Sequence, residues 1–405
     1  MWLQIALPVA VFTAVVLSLT LIVLVARRGL EPGGFVSVTL GGGRSINVPA
    51  GHRLLASLAA NDIFLPAACG GRGTCGQCRI RVTSGGGFVT PTEELLISRD
   101  DIAAGMRLAC MLKVREPVSV ELSDEMLSVR RFEAVVESNR NVATYLKELV
   151  LRLDGPLEFE AGDYVLVDTP PHRLSFEDFE IDTPFRERWD ASGLFRLKSV
   201  VREPVARAYS LANAPQDKQH AVLVVKVALP PPSAPAGTPP GQVSSYLFGL
   251  RAGDRISLRG PFGEFHIQES EKEMLLIGGG AGISPLRSMV LDLLARGSKR
   301  RIGFWYGARD FEDLCYVEEF EKLAATHDNF DFRLALSNVG PRSSWQGHRG
   351  FIHGVVLEHY LKDHPAPGEI EYYLCGPPLM SAAVLKMLEQ LGVPEQQIFF
   401  DDFGA

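Results

Sequence analysis

The chain has little of several features that would each point to a particular class of protein. It carries 41 Lys and Arg against 48 Asp and Glu, for a formal net charge of -7, so it lacks the basic surface that nucleic acid binding requires. Its 405 residues include only six cysteines, which is too few for a disulfide framework and fits a reducing compartment. No repeat with a period of about 20–50 residues is visible, which excludes solenoids and propellers.

Charge is also missing from residues 3–26, which form an apolar run. As a helix this run would be about 36 Å long, enough to cross a hydrocarbon core of about 30 Å. A secretory signal peptide is the alternative, but it would carry positive charge before a shorter apolar run. Here Arg27 and Arg28 follow the run. We therefore expect a transmembrane anchor over residues 1–28, with the positive-inside rule placing the rest of the chain in the cytoplasm.

The remaining sequence divides into three segments with different periodicities. Residues 33–126 combine short alternating runs with a helical pattern, which predicts a small α+β domain. Residues 129–269 are rich in strand signals, which predicts an antiparallel β-barrel with irregular interruptions at 171–206 and 230–241. Residues 270–405 alternate strand-like and helix-like runs, the pattern of an α/β domain with a parallel sheet covered by helices.

Four of the cysteines lie close together in the sequence of the first domain: Cys69, Cys75, Cys78 and Cys110. A four-cysteine zinc site usually has two CxxC pairs, and only Cys75 and Cys78 have that spacing. A disulfide does not suit the cytoplasm. A [2Fe–2S] cluster takes four thiolates, and the many glycines between the first three cysteines let the backbone curl closely around it. The pattern favours an iron–sulfur cluster with these four cysteines as metal ligands.

The same residues carry a resemblance. CGGRGTCGQC at 69–78, followed by RLAC at 107–110, resembles the adrenodoxin branch of the 2Fe-2S ferredoxins, in which five residues separate the first two cysteines. Plant ferredoxins have four residues at that place. The resemblance implies that residues 33–126 form a ferredoxin-like domain with the β-grasp fold.

A second resemblance concerns the expected barrel. RAYS at 207–210, followed by GQVSS at 241–245, is similar to the flavin domain of the ferredoxin–NADP reductase superfamily. The resemblance implies that Arg207 neutralises flavin phosphate charge, Tyr209 stacks on the isoalloxazine, and Ser210 acts as a catalytic residue by hydrogen bonding near flavin N5. The backbone N–H groups of the helix after Gly241 would meet the FAD diphosphate, since a helix N-terminus favours anions. Those residues are Val243, Ser244 and Ser245.

The third segment carries two further motifs of that superfamily. GGGAGISPLRS at 278–288 matches its G-G-x-G-[IT]-[ST]-P signature, although Ile283 stands where the G-x-G-x-x-G fingerprint has its third glycine. CGPP at 375–378, followed by Met380, matches its C-G-P-x-x-M motif. The resemblance implies that the first loop faces the pyrophosphate of the nucleotide and that Cys375, a second catalytic residue, lies beside the nicotinamide. The implied nucleotide-binding residues are Gly278, Gly279, Gly280, Gly282, Ser284, Pro285, Cys375, Gly376 and Pro377.

Acidic residues follow the second expected strand of the third segment, where the sequence reads GARDFEDL. NADPH-binding relatives place basic side chains here, whereas Asp310, Glu312 and Asp313 would repel a 2′-phosphate. NADH is therefore the expected electron donor.

The whole chain resembles the F subunits of bacterial sodium-translocating NADH:quinone oxidoreductases. The features that carry this resemblance are the apolar N-terminal run, REPVARAYSLANAP at 202–215, the proline-rich stretch at 230–241 and the terminal FFDDFG. The resemblance adds Phe403, from the terminal motif, to the implied cofactor-binding residues. The resemblance implies electron entry from NADH through FAD and a 2Fe-2S cluster to partner subunits in the cell inner membrane, which reduce ubiquinone and export sodium. The reductase component of a multicomponent oxygenase is the alternative, since it has the same domain order.

Overall fold

The computed structural model describes residues 2–30, 33–123, 126, 129–231, 233–235, 237–339 and 345–401. Two compact units are present. The first contains Met1–Leu65 and Gly71–Ser128, and the second contains Pro66–Gly70 and Val129–Ala405. The expected flavin and nucleotide domains thus belong to one compact unit.

Helix α1 (Trp2–Leu30) contains the apolar run at the start of the chain. The structure describes the side chains of residues 7 and 9–23 in this helix, and all of them are exposed. Within the described residues, no helix combines the length and the apolar character needed to cross a membrane. The transmembrane anchor expected over residues 1–28 therefore stays a prediction.

The first unit has the α+β form that its periodicity predicts. Its sheet has the order β2-β1-β5-β3-β4, in which β1 and β5 are parallel and the other pairs are antiparallel. The strands are β1 (Phe35–Leu40), β2 (Ser45–Pro49), β3 (Arg79–Ser84), β4 (Met106–Leu108) and β5 (Val118–Glu121). The helices are α2 (Leu54–Ala59), α3 (Pro91–Leu96) and α4 (Arg99–Ala103). Alternation in β2, where Ile46 and Val48 are buried and their neighbours exposed, gives the sheet one apolar face.

The second unit begins with the expected barrel. Its elements are β6 (Arg130–Ala143), β7 (Leu146–Leu153), β8 (Tyr164–Thr169), β9 (His172–Ser175), α5 (Thr183–Ala191), β10 (Lys198–Val201), β11 (Val205–Ser210), β12 (His220–Lys226), α6 (Gln242–Gly249) and β13 (Arg255–Phe262). Six strands pair antiparallel in the order β11-β8-β13-β6-β7-β12. A bridge between Leu211 and Leu223 joins the two ends of this order, which closes the sheet.

The segment at 171–206, which we call the insert, is more regular than its sequence suggests. Strands β9 and β10 form a two-stranded antiparallel sheet, and α5 lies between them in the chain. The expectation of irregular structure here is wrong, because aromatic packing stabilises the segment. Trp189 is fully buried and stacks on Phe248 with a centroid distance of 5.5 Å, while Phe176 stacks on Phe179 at 4.4 Å.

The last part of the second unit is the expected parallel sheet, with the order β17-β16-β15-β14-β18-β19. Its strands are β14 (Met274–Gly279), β15 (Ile302–Ala308), β16 (Phe330–Leu336), β17 (His348–Arg349), β18 (Glu371–Cys375) and β19 (Ile398–Asp401). Its helices are α7 (Ile283–Ala295), α8 (Val317–Thr326), α9 (Ile352–His359) and α10 (Pro378–Gln390). The strand order reverses beside β14, because β15 lies on one side of it and β18 on the other. Ligands of open parallel sheets bind at such a switch point, outside the carboxyl ends of the strands.

Side chains of α7 fasten the parallel sheet to the barrel. The Arg287 guanidinium donates to the carbonyl oxygen of Ala212 at 2.6 Å, and the Ser288 hydroxyl donates to that of Asn213 at 2.7 Å. Both acceptors lie just after the RAYS strand β11. The same helix that begins at the GGGAG loop therefore also holds the end of β11.

Candidate functional site

Two glycine-containing loops meet at the switch point. Strands β14 and β18 pair so that Gly278 lies opposite Cys375. A Cβ added to Gly282 would overlap the carbonyl oxygen of Cys375 and lie 2.6 Å from the Gly376 nitrogen. Because no side chain fits there, the two loops approach backbone to backbone. The structure thus brings together both motifs assigned to the nucleotide.

Three residues of these loops, Ser284, Pro285 and Cys375, are buried. Ser284 lies in the first turn of α7, and its hydroxyl donates to the carbonyl oxygen of Ala281 at 3.0 Å. Pro285 lies in the same turn and is buried. The Cys375 side chain is fully buried in an apolar cluster. The expected place of its sulfur atom beside the nicotinamide therefore stays a prediction.

The RAYS residues lie on β11 as expected. Arg207 and Tyr209 are both half-buried. They lie on the same face of β11, because successive side chains along a strand point to opposite faces. Burial raises the pKa of the Tyr209 hydroxyl, more than the nearby Arg207 lowers it. Ser210 is 3 % exposed, and its hydroxyl has no hydrogen-bond partner among the described residues. A buried hydroxyl without a partner is costly, and this one fits a cofactor that supplies the missing bond.

The helix expected to meet the diphosphate is α6, which packs against β11. Gly241 is its N-cap, and no side chain caps it. The N–H of Ser245 already donates to the carbonyl oxygen of Gly241 at 3.1 Å. The amide groups that precede this first helical bond belong to Gln242, Val243 and Ser244, and they suit an anion. Gln242 was not among the residues expected from the sequence, although it directly follows the N-cap glycine.

The other end of α6 is held by two polar side chains of the barrel. The Asn139 amide donates to the carbonyl oxygens of Leu247 and Leu250, at 2.9 and 2.8 Å. The Lys147 ammonium is buried and donates to the carbonyl oxygen of Phe248 at 3.0 Å. Burial lowers the Lys147 pKa to about 8. A cation at a helix C-terminus is favourable, but nothing in the sequence distinguishes this lysine from any other on a strand.

Three of the four clustered cysteines lie in the first unit. A hydrogen bond between the Cys78 and Cys110 thiols, followed by burial, raises the Cys78 pKa well above its usual value, and Cys75 is close enough to add to the shift. Metal binding to such closely placed thiols displaces their protons. None of the six cysteines forms a disulfide.

The loop between these cysteines has the backbone that a cluster requires. Gly71 and Gly76 have φ values of 83° and 70°, in the left-handed region that favours glycine. Cys69 is 7 % exposed and lies in Pro66–Gly70, which belongs to the second unit. Within the described residues, no three His, Cys, Asp or Glu side chains are placed to hold one metal ion. The donor set of four thiols fits a two-iron cluster, and the complete ligand set stays a prediction.

A buried ion pair supports the strand that leads to Cys110. The Arg107 guanidinium binds both carboxylate oxygens of Glu93, at 2.8 and 3.0 Å, and Glu93 is fully buried. Arg107 also donates to the carbonyl oxygens of Gly86 and Phe88, at 2.8 and 2.9 Å. The RLAC motif therefore contains a structural arginine as well as the expected ligand Cys110.

We expect Glu93→Gln to lower the free energy of unfolding by about 3–5 kcal/mol, because it leaves the Arg107 charge buried without its partner. Urea unfolding of the full chain, followed by the visible absorbance of the cluster, measures this. Glu94→Gln is the matched control, since Glu94 is exposed and should change the midpoint little. Equal midpoints for the two variants would contradict the role of the pair.

The pair of Arg107 and Glu93 also makes the stability of the fold depend on pH. Burial alone would raise the Glu93 pKa, but hydrogen bonds from Arg107, Thr90 and Leu108 together lower it below the ordinary 4.5. Its contribution to stability is therefore complete above the ordinary pKa and is lost as the pH falls through the lower, folded-state pKa.

The acidic residues after β15 are already paired in the structure. The Arg188 guanidinium, on α5 of the insert, donates to Asp310 Oδ2 at 2.8 Å and to Glu312 Oε2 at 3.0 Å. These hydrogen bonds raise the Arg188 pKa, and the bond with Asp310 contributes most to the rise. Phe403 lies outside the described residues.

Three family models match three separate parts of the chain. The 2Fe-2S iron-sulfur cluster binding domain matches residues 38–115, which include all four clustered cysteines. The oxidoreductase FAD-binding domain matches residues 193–267, which include RAYS and the start of α6. The oxidoreductase NAD-binding domain matches residues 276–386, which include both nucleotide loops.

Full-length relatives decide the family. The F subunit of the Na(+)-translocating NADH-quinone reductase of Pseudomonas aeruginosa is 48 % identical over 99 % of this chain and 99 % of its own length. The corresponding F subunit of Marinomonas sp. is 47 % identical over 100 % of this chain and 99 % of its own. The chain belongs to this family of F subunits.

Solved structures similar to this member of the family share its fold. A cytochrome P450 reductase from Amycolatopsis is 27 % identical, with a TM-score of 0.64 over 91 % of this chain and 99 % of that chain. The ferredoxin reductase in carbazole 1,9a-dioxygenase is 26 % identical, with a TM-score of 0.61 over 91 % of this chain and 98 % of that chain.

Proposed function

We propose that this chain is the NADH-oxidising subunit through which electrons enter a membrane complex that reduces ubiquinone and exports sodium. The observation that carries the proposal is the 48 % identity to an F subunit over 99 % of both chains. When bound, FAD would supply the chemistry that links NADH, which donates two electrons as a hydride, to a 2Fe-2S cluster that accepts one electron at a time. The reductase of a multicomponent oxygenase has the same chemistry, but the ferredoxin reductase in carbazole 1,9a-dioxygenase is only 26 % identical.

On the flavin side, the chain would bind and orient the cofactor. Arg207 neutralises phosphate charge, and Tyr209 covers the ring system from the same face of β11. Ser210 supplies its hydroxyl near flavin N5, a role supported by the lack of a hydrogen-bond partner for that buried group within the described residues. The amide groups at the start of α6, after Gly241, hold the diphosphate.

On the nucleotide side, the chain would position NADH across the switch point. The loop from Gly278 to Pro285 lies at the carboxyl end of β14, where a pyrophosphate is expected. The loop from Cys375 to Pro377 lies at the carboxyl end of β18, where it would border the nicotinamide. Support for one shared site comes from the backbone contact between Gly282 and Cys375.

The cluster would be held by the thiolates of the first domain, with Cys69, Cys75, Cys78 and Cys110 as ligands. Helix α1 would anchor the chain in the cell inner membrane as a single pass, with the other domains in the cytoplasm. Support for the anchor comes from the lack of charge in residues 3–26 and from apolar side chains as exposed as Phe12, at 71 %. Residues 3–26 contain no ionisable group that could relay sodium, so the sodium and quinone sites would belong to partner subunits.

We expect membranes that contain this chain to oxidise NADH with ubiquinone, and added sodium to stimulate the rate. Deletion of the chain should remove that activity, because electrons then have no entry point. The chain without residues 1–28 should still oxidise NADH with an artificial acceptor, without any response to sodium. The measurement is the NADH oxidation rate at 340 nm with sodium or potassium chloride at equal ionic strength. Membrane activity that is indifferent to sodium, or co-purification with an oxygenase, would favour the alternative function.

A further inference from the structure

Arg188 of the insert binds two carboxylates of the nucleotide domain. Arg188 binds Asp310 and Glu312 with two separate nitrogen atoms. Asp310 is held further by the Asn338 amide, which donates to its Oδ1 at 3.3 Å. The carboxylate of Asp310 is therefore fixed from two sides.

The position of these carboxylates in the sheet relates their contact with Arg188 to nucleotide binding. They follow β15, the parallel strand next to β14 with its GGGAG loop. In sheets of this kind the pyrophosphate lies at the first strand end, and an acidic side chain near the next strand end accepts a hydrogen bond from the ribose 2′-hydroxyl. NADPH carries a phosphate at that position, which a guanidinium binds and carboxylates repel.

The helix that carries Arg188 is itself firmly held. The neighbouring Trp189 is fully buried, and its indole N–H donates to the carbonyl oxygen of Thr144 at 2.7 Å. The backbone N–H and the hydroxyl of Thr144 both donate to the carbonyl oxygen of Glu312, at 3.0 and 3.1 Å. The insert, the turn between β6 and β7, and the acidic loop thus form one connected set of contacts.

We propose that Arg188 is a specificity-determining residue for the pyridine nucleotide: it positions Asp310 and Glu312 for the 2′-hydroxyl of NADH and, while paired with them, is withheld from the 2′-phosphate of NADPH. This inference rests on the proposed function and gives the insert a role in it. Two carboxylates around one guanidinium leave the local charge negative, so a 2′-phosphate is repelled. Removal of the carboxylate charges would leave a guanidinium at the same place, able to bind that phosphate.

The test compares the steady-state oxidation of NADH and NADPH with an artificial electron acceptor, at a series of nucleotide concentrations. For Arg188→Ala we expect the KM for NADH to rise about tenfold with a smaller change in kcat, because the loss falls on a binding interaction. Arg188→Lys should give an intermediate KM, since lysine keeps the charge but not the two-pronged geometry. Arg186→Ala is the matched control, because Arg186 is exposed on the same helix. The KM of this variant for NADH should equal that of the unmodified chain.

A second set of variants separates specificity from a purely structural role. Asp310→Asn combined with Glu312→Gln should raise kcat/KM for NADPH about tenfold, because the guanidinium becomes available to the phosphate. Addition of Arg188→Ala to this pair should abolish the gain. If Arg188 had only a structural role, the gain in kcat/KM for NADPH would not depend on its guanidinium.

The outcomes distinguish this inference from the proposed function. If NADH fails to reduce the flavin of the unmodified chain, the proposed function itself is wrong. If NADH reduces it but Arg188→Ala and Arg188→Lys both leave the KM unchanged, the inference is overturned. It is also overturned if the NADPH gain of the Asp310 and Glu312 pair persists without Arg188. Flavin absorbance of each purified variant shows that it is folded and loaded, and the lysine variant serves if the alanine variant does not fold.

Discussion

Replacement of Cys75 by alanine is expected to abolish the 2Fe-2S signal in the EPR spectrum of the reduced protein while FAD stays bound. A two-iron cluster takes four thiolates, and the alanine removes one of them. FAD is expected to bind at β11 and α6, which belong to the second compact unit, whereas Cys75 belongs to the first. NADH should therefore still bleach the flavin absorbance, whereas reduction of ubiquinone by membranes that carry the variant should cease.

Cys315→Ala is the matched control for this experiment. Cys315 is equally a cysteine, but it lies buried in the nucleotide domain, where the Tyr306 hydroxyl is 3.3 Å from its sulfur. Its replacement should leave the EPR signal intact. A cluster signal that survives in the Cys75 variant would show that the ligand assignment is wrong.

The second large effect is expected from Gly282→Ala. Its Cβ would overlap the carbonyl oxygen of Cys375 and crowd the Gly376 nitrogen, both of which are backbone atoms that cannot rotate away. The two nucleotide loops must then separate. Because a misplacement of about 1 Å can cost about 100-fold in rate, we expect kcat/KM for NADH to fall by roughly that factor, with FAD content unchanged.

Gly354→Ala provides the comparison for that variant. Gly354 lies within α9, and a Cβ added there would meet no heavy atom within 4 Å. Alanine is the better helix former, so this variant should be as active as the unmodified chain and about as stable or slightly more so. The steric argument would fail if both glycine variants oxidised NADH equally well.

The backbone conformation at the motifs was predictable from the sequence because each motif is local. The spacing of Cys75 and Cys78, the glycines between the cysteines, and the glycines after β14 all act through backbone conformation over a few residues. Domain types were predictable for a related reason, since the period of the apolar pattern follows directly from strand or helix geometry. The three family models confirm these domain types.

The insert shows where sequence reasoning fails. Its acidic and aromatic sequence has no strand or helix period, yet it contains β9, α5 and β10. Trp189 is stabilised by contacts with Thr144 and Phe248, which are 45 and 59 positions away in the chain. The pairing of Arg188 with Asp310 spans 122 positions. Such contacts depend on the finished fold, and no local pattern reports them.

The contacts between barrel and parallel sheet also bear on how the second unit moves. Arg287 and Ser288 fasten α7 to the chain just after β11, and Thr144 fastens the β6–β7 turn to Glu312 on the other side. Fastening at two separate places leaves the line that joins them as the axis about which the two domains can rotate. A hinge-like opening about any other axis would have to break at least one of these sets of bonds, so we expect nucleotide entry and exit to depend mainly on small, fast rearrangements of loops.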